Sequence, residues 1–260
     1  MKEKVIITGA SSFLGFHLIE AALEKNMDVY AGVWKGSDIS HLKHLPISFI
    51  YLDLSGSNSL LEEMREKRYD YIIHAAGITR ARTEIQYNVV NADYTFNLAL
   101  ALQHSAMPIK EFIYISSLAA LVYAKDEASV AVTSLFSNYN GSYNLSDGNC
   151  YSRYDLTNYL KKYLQTKTVP VGMARAMAIT TENMYQILNK IPALNREKIN
   201  ELSAANWVCN IDKAKRELGF NPVYNLEDGL KESLDCTKNT IGYNKHHKYF
   251  GYYQNLVEAI

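Results

Sequence analysis

The sequence predicts an α/β protein: a doubly wound parallel sheet, truncated after its fifth strand, with a small and mostly helical C-terminal part. Three observations lead there. Short β-branched or aromatic runs alternate with helix-period stretches through the first half of the chain, those runs are apolar almost throughout, and the rhythm stops near Lys125. Strands that are apolar on both faces need helices over both faces, which parallel βαβ layers provide.

The strands are read at Lys4–Thr8, Asp28–Val33, Ser48–Tyr51, Asp70–His74 and Phe112–Ser116. Between them, Ser12–Lys25, Ser57–Lys67 and Ile85–His104 carry the helical period. Beyond Lys125 only Gly141–Leu145 and Thr168–Gly172 look extended. Asn195 precedes a helical pattern at Arg196–Ala204, Asn210 can cap Ile211–Leu218 before Gly219 and Pro222, and Leu226–Asp235 follows a short turn. The expected division is residues 1–120, a sheet domain, 121–236, a helical region, and 237–260, a Tyr-rich tail.

A chain of 260 residues buries enough surface for a substantial core. Its 27 basic and 27 acidic residues, with 48% hydrophobic content, exclude a disordered chain and a polyelectrolyte that binds nucleic acid. The longest nearly apolar run, Phe112–Ala124, is broken by Ser116 and Ser117 and is too short for a bilayer, and the N-terminus lacks the apolar stretch of a secretory signal. Cys150, Cys209 and Cys236 are widely spaced and form no CxxC pair, as expected of reduced thiols in a cytoplasmic protein. A small molecule or another protein is therefore the expected partner.

Val5-Ile6-Ile7-Thr8-Gly9-Ala10-Ser11-Ser12-Phe13-Leu14-Gly15 reads as strand, small-residue turn and helix start at the spacing of a dinucleotide fingerprint. Gly9 permits the turn, Gly15 lets helix and strand approach, and the amides from Ser11 to Leu14 can face a pyrophosphate. The string alone also suits an ordinary βα turn.

Further segments, in order, resemble the extended short-chain dehydrogenase/reductase family, in its NAD(P)-dependent epimerase/dehydratase branch. They are Asp53-Leu54 after a strand, His74-Ala75-Ala76-Gly77, Asn91 in Val90-Asn91-Ala92-Asp93-Tyr94, Tyr114-Ile115-Ser116-Ser117, Val122–Asp126, Tyr143–Gly148 and Lys213–Pro222. The resemblance spans residues 1–236. It implies a Rossmann-like fold, an NAD(P) cofactor and a nucleotide-sugar or other small carbonyl or hydroxyl substrate. It further implies cofactor contacts from Gly9, Ser11, Ser12, Phe13, Leu14, Gly15, Trp34, Lys35, Asp53, Leu54, Ala75, Ala76, Gly77, Asn91 and Ser116, with Ser117 at the catalytic serine position.

The chain departs from that family most between Ser117 and Val122. The family holds there a helix with a Tyr-x-x-x-Lys pair and a sixth strand, whereas here only Leu118–Leu121 intervene, too few for a βαβ unit. One Tyr-x-x-x-Lys string survives, Tyr163–Lys167, on a later amphipathic helix where Tyr159, Leu160 and Tyr163 read as packing positions. Ser12 replaces the family's middle glycine, and its side chain could crowd a phosphate or donate to it. Val33-Trp34-Lys35 offers no carboxylate for ribose hydroxyls, so Lys35 tilts the reading slightly toward NADP, with Asp38 as the counter-candidate. Arg80 and Arg82 read as exposed loop residues that could also meet an anion, His74 as structural, and His246-His247 as a solvated tail rather than a metal site.

The expected protein is thus an NAD(P)-binding relative of the nucleotide-sugar epimerases that lacks the proton-transfer pair. Three alternatives stay open: an enzyme with another proton donor, a cofactor-responsive scaffold, and a deletion product without function. Loss of a helix and strand is expected to expose apolar surface around Leu118–Tyr123 and to favour self-association.

Overall fold

In the computed structural model the chain is described over residues 2–79, 81–116, 122–164 and 206–232. Ser117, Arg80, the extended stretch at Thr168–Gly172, the helix at Arg196–Ala204 and the tail lie outside them. The chain divides into two compact units, one of residues 1–116 and 127–140, the other of 117–126 and 141–260.

The first unit is the expected doubly wound sheet. Its strands are β1 (Lys4–Thr8), β2 (Asp28–Val33), β3 (Ser48–Tyr51), β4 (Tyr71–His74) and β5 (Glu111–Tyr114), in the order β3-β2-β1-β4-β5. Every pairing is parallel, with Thr8 opposite Gly32 on one side and His74 on the other. The helices are α1 (Phe13–Glu24), α2 (Ser57–Lys67), α3 (Glu84–Asn88), α4 (Tyr94–Ser105) and α5 (Ala124–Ser134), of which α5 belongs to this unit from Glu127 onward. A π-helical segment, Val89–Asp93, fuses α3 to α4, so the single helix read at Ile85–His104 is one rod with a widened turn.

Strand side chains alternate between two buried layers. Val5, Ile7, Val29, Ala31, Tyr71 and Ile73 face one layer with Leu18, Ile19 and Ala22 of α1, while Ile6 and Ile72 face the other with Leu60 and Met64 of α2 and Leu98 and Ala101 of α4. Helix α5 sets Ala128, Ala131 and Val132 into the α1 layer. That placement fixes what α5 is not. A right-handed crossover from β5 to a strand beyond it would carry its helix on the α2–α4 face, as α4 does between β4 and β5. The helix following β5 lies on the opposite face, and β5 is the outer strand among the described residues.

The second unit contains a short antiparallel ladder, β6 (Tyr151–Ser152) against β7 (Asn206–Trp207), with α6 (Arg153–Leu164), α7 (Asp212–Leu218) and a helical stretch at 226–232. The segment read as extended at Gly141–Leu145 forms no ladder among the described residues. The N-cap of α7 is Ile211 rather than the expected Asn210, which stands one residue ahead and accepts from the Asp212 amide at 2.7 Å; Gly219 ends the helix at φ 65°, as the sequence suggested. Asp126 is buried and accepts the amides of Val223 and Tyr224 at 3.1 and 2.9 Å. Lys125 pairs with Glu232, and the rings of Tyr123 and Tyr224 pack 4.5 Å apart.

Candidate functional site

In an open α/β sheet a ligand crevice forms where strand order reverses, outside the C-terminal ends of the strands. Here that point lies between β1 and β4, whose neighbours β2 and β5 run outward in opposite directions. Gly9 leaves β1 at φ 71°, and a Cβ there would stand 2.5 Å from the Ala75 carbonyl oxygen. A Cβ on Gly15 would stand 2.3 Å from the Gly9 carbonyl oxygen. Only glycine fits either place, so the turn presses against β4 and α1 presses against the turn.

Ser12, by contrast, needs no glycine: it sits at φ −84° and ψ 170°, in extended backbone. Its amide donates to the Gly9 carbonyl at 2.9 Å, and its hydroxyl accepts from the Gly15 amide at 3.0 Å. Ser12 is therefore the N-cap of α1.

Behind the turn runs a polar chain, buried at Thr8 and His74 and half-buried beyond them. Thr8 Oγ1 lies 2.7 Å from His74 Nδ1 and also accepts the Ala76 amide at 3.2 Å; His74 Nε2 lies 3.0 Å from Thr95 Oγ1, which donates to the Asn91 carbonyl at 2.9 Å. The direction of every proton follows. Because Thr95 gives its hydrogen to a carbonyl, it must accept one from His74 Nε2–H; the bare Nδ1 must then accept from Thr8. His74 is fully buried, and burial lowers its pKa to about 4, so it is neutral at pH 7. The Asn91 side chain closes the far end, accepting from the Ile78 amide at 2.8 Å and donating to the Ile78 carbonyl at 2.9 Å. A Cβ at Gly77 would come within 2.9 Å of Asn91 Oδ1.

The remaining sequence-predicted residues fall around this centre. Ala75 and Ala76 are half-buried at the end of β4, and Ser116 is exposed just past β5. Asp53 is exposed at the end of β3, where Ser55 donates both its amide (2.9 Å) and its hydroxyl (2.5 Å) to Oδ1, and those bonds lower the carboxyl pKa. Leu54 is buried beside it, its carbonyl accepting from Asn97 Nδ2 at 3.0 Å. Trp34 is half exposed after β2 and meets Tyr94 edge to face at 5.7 Å. Lys35 is exposed, whereas Asp38 accepts from the Ser40 amide at 3.0 Å. Tyr163 lies in the second unit on α6, its phenol 3.0 Å from Glu227, whose hydrogen bond raises the tyrosine pKa. A proton-transfer tyrosine needs the opposite shift.

Sequence reading missed Thr8 and Thr95 as partners of His74. Thr95 lies one helical turn after Asn91, the available local signal; its meeting with β4 depends on tertiary packing. Among the described residues no cluster of His, Cys, Asp or Glu could hold a metal ion, and no helix is long and apolar enough to cross a membrane.

The UDP-glucose 4-epimerase of Thermotoga maritima, solved with UDP-glucose, superimposes with a TM-score of 0.69 over 92% of this chain and 99% of its own, at 13% identity. The UDP-glucose 4-epimerase of Bifidobacterium longum, solved with NAD+ and UDP, gives 0.68 over 92% and 100% at 15% identity. The Bordetella bronchiseptica enzyme WbmF, also with NAD+ and UDP, gives 0.67 over 93% of each chain at 15% identity. These likenesses establish the fold. No curated protein matches the chain. The family model for NAD dependent epimerases and dehydratases matches residues 5–196, most of the chain, and with the glycine turn packed at the switch point of the sheet the chain belongs to that NAD dependent epimerase/dehydratase family.

Proposed function

We propose that the protein holds NAD or NADP at the C-terminal ends of β1 and β4 and is a catalytically weakened relative of the nucleotide-sugar epimerases, acting on a nucleotide sugar or a similar small carbonyl or hydroxyl compound. The observation that carries the reading is the double close approach at Gly9 and Gly15, where no other residue fits. Such a turn brings backbone amides and the positive end of a helix to a pyrophosphate. Asp53 and Leu54 are at hand for the adenosine end, and Ala75, Ala76, Gly77, Asn91 and Ser116 border the path toward the reactive end. The exposed Lys35, set against an Asp38 already engaged with Ser40, favours a 2′-phosphate and so NADP.

The cofactor, when bound, takes a hydride from a substrate carbon or returns one. The accompanying proton is left to the protein, and a positioned acid or base is worth about 10²–10⁴ in rate. The chain's only Tyr-x-x-x-Lys string is Tyr163–Lys167, and Tyr163 is bound to Glu227. Helix α5, the first after β5 among the described residues, packs on the α1 face and contains no tyrosine, so it carries no such pair. Ser116 and Ser117 can polarise an oxygen but cannot replace a phenolate.

Fluorescence titration of the purified chain with NADH and NADPH tests the reading. Binding of both, NADPH moderately tighter, is expected. Absence of binding at millimolar cofactor would refute it.

A further inference from the structure

We infer that the Ser12 hydroxyl competes with the cofactor's pyrophosphate for the Gly15 amide at the start of α1 and so weakens dinucleotide binding. The inference rests on the dinucleotide reading of the site.

A helix start leaves four amides to outside acceptors, and an anion at that end uses them together with the positive end of the helix dipole. In α1 two of the four are taken within the turn: the Ser12 amide by the Gly9 carbonyl at 2.9 Å, and the Gly15 amide by the Ser12 hydroxyl at 3.0 Å. The first turn of α1 carries no acidic residue that could serve as an alternative cap. Gly15 packs closely on the turn, since a Cβ added there would stand 2.3 Å from the Gly9 carbonyl oxygen and 2.8 Å from Ala10. The Ser12 oxygen therefore already accepts from that amide, where any outside acceptor would have to come. A phosphate reaches the amide only after Ser12 rotates about its Cα–Cβ bond and gives up the cap. The extended backbone at Ser12 shows that the backbone itself does not demand glycine there, so substitution tests the side chain alone.

The test compares NADH binding to the full-length native chain with Ser12→Ala, Ser12→Gly and Ser12→Thr, with adenosine as a probe lacking pyrophosphate. Losing a Ser cap typically costs a helix a factor of about 2 to 30 in equilibrium. On that scale, freeing the Gly15 amide should tighten NADH binding roughly fivefold in Ser12→Ala and at least as much in Ser12→Gly, leave Ser12→Thr near native, and leave adenosine unchanged. The free Ser12→Ala protein should melt lower than native, while Ser12→Gly guards against a misfolded alanine variant. NADH affinity in Ser12→Ala that equals or falls below native would overturn the proposal, the second result meaning that the hydroxyl donates to the phosphate instead. If no form binds NADH or NADPH, the dinucleotide reading falls, and inorganic pyrophosphate still decides the role of Ser12. Movement of the Gly15 amide resonance at lower pyrophosphate in Ser12→Ala than in native supports it, and equal or absent movement overturns it.

Discussion

Replacing His74 by leucine should make the stability of the first unit lose a pH dependence that the native protein has. The neutral ring is held between Thr8 and Thr95 and stacked near Tyr114 at 5.8 Å, and burial lowers its pKa from 6.5 to about 4. The unfolded chain then binds a proton through a range where the folded one does not, so native stability falls as pH drops from about 6.5 toward 4. The full effect corresponds to about 3 kcal/mol, most of it spent by pH 4.5. At pH 7 His74→Leu should instead be the less stable form by about 1–3 kcal/mol, because the Thr8 hydroxyl and the acceptor side of Thr95 lose their partner inside the sheet. The deficit should therefore shrink, and can change sign, between pH 7 and 4.5. Denaturant unfolding of both proteins by circular dichroism at pH 7, 5.5 and 4.5 measures it, since carboxylates common to both cancel in the difference. A difference that stays constant across the range would refute the lowered pKa of the buried ring.

Gly15→Val should abolish NADH binding by driving a side chain into the Gly9 carbonyl, read by the same cofactor fluorescence. Lys35→Glu should reverse the preference for NADPH over NADH; unchanged selectivity would remove Lys35 from cofactor recognition. Oxidoreductase or epimerase turnover should stand at least about 10²-fold below that of relatives with the Tyr–Lys pair, with Ser117→Ala and Tyr163→Phe causing little further loss in a steady-state assay across nucleotide sugars and simple carbonyl compounds. Ile85 and Phe96, 76% and 65% exposed on α3 and α4, should promote self-association that Phe96→Lys reduces in analytical ultracentrifugation.

The strands were legible because parallel strands covered on both faces must be apolar at successive positions, as Val5-Ile6-Ile7 and Ile72-Ile73 are. Even the short β3, half exposed, was marked by its β-branched and aromatic residues. Gly9 and Gly15 were legible for a different reason: steric exclusion leaves one residue type, and that choice is written in the sequence. The His74 chain was not, since Thr8, His74 and Thr95 come from three elements and nothing local says that a threonine hydroxyl will find a ring nitrogen rather than a carbonyl of its own helix. The β6–β7 ladder, two residues on each strand and far apart in sequence, is equally silent. So is the face that α5 chooses, because Ala128, Ala131 and Val132 would suit either layer. Ser12 lay between these cases: its position was noticed, but whether its hydroxyl turns outward to a phosphate or inward to Gly15 is a rotamer, which sequence does not encode.

The π-helical turn at Val89–Asp93 amounts to one residue more than an α-helix of the same rise would need, with the Tyr94 amide reaching back to the Val89 carbonyl. An insertion of that size shifts the phase of everything after it by about 100°. The rod serves two clients: within the widened turn Asn91 clasps Ile78, and beyond it Leu98 and Ala101 fill the layer over β4. Deleting a single residue such as Val90 would leave a better helix and a worse protein, since it would force a choice between the loop after β4 and the core.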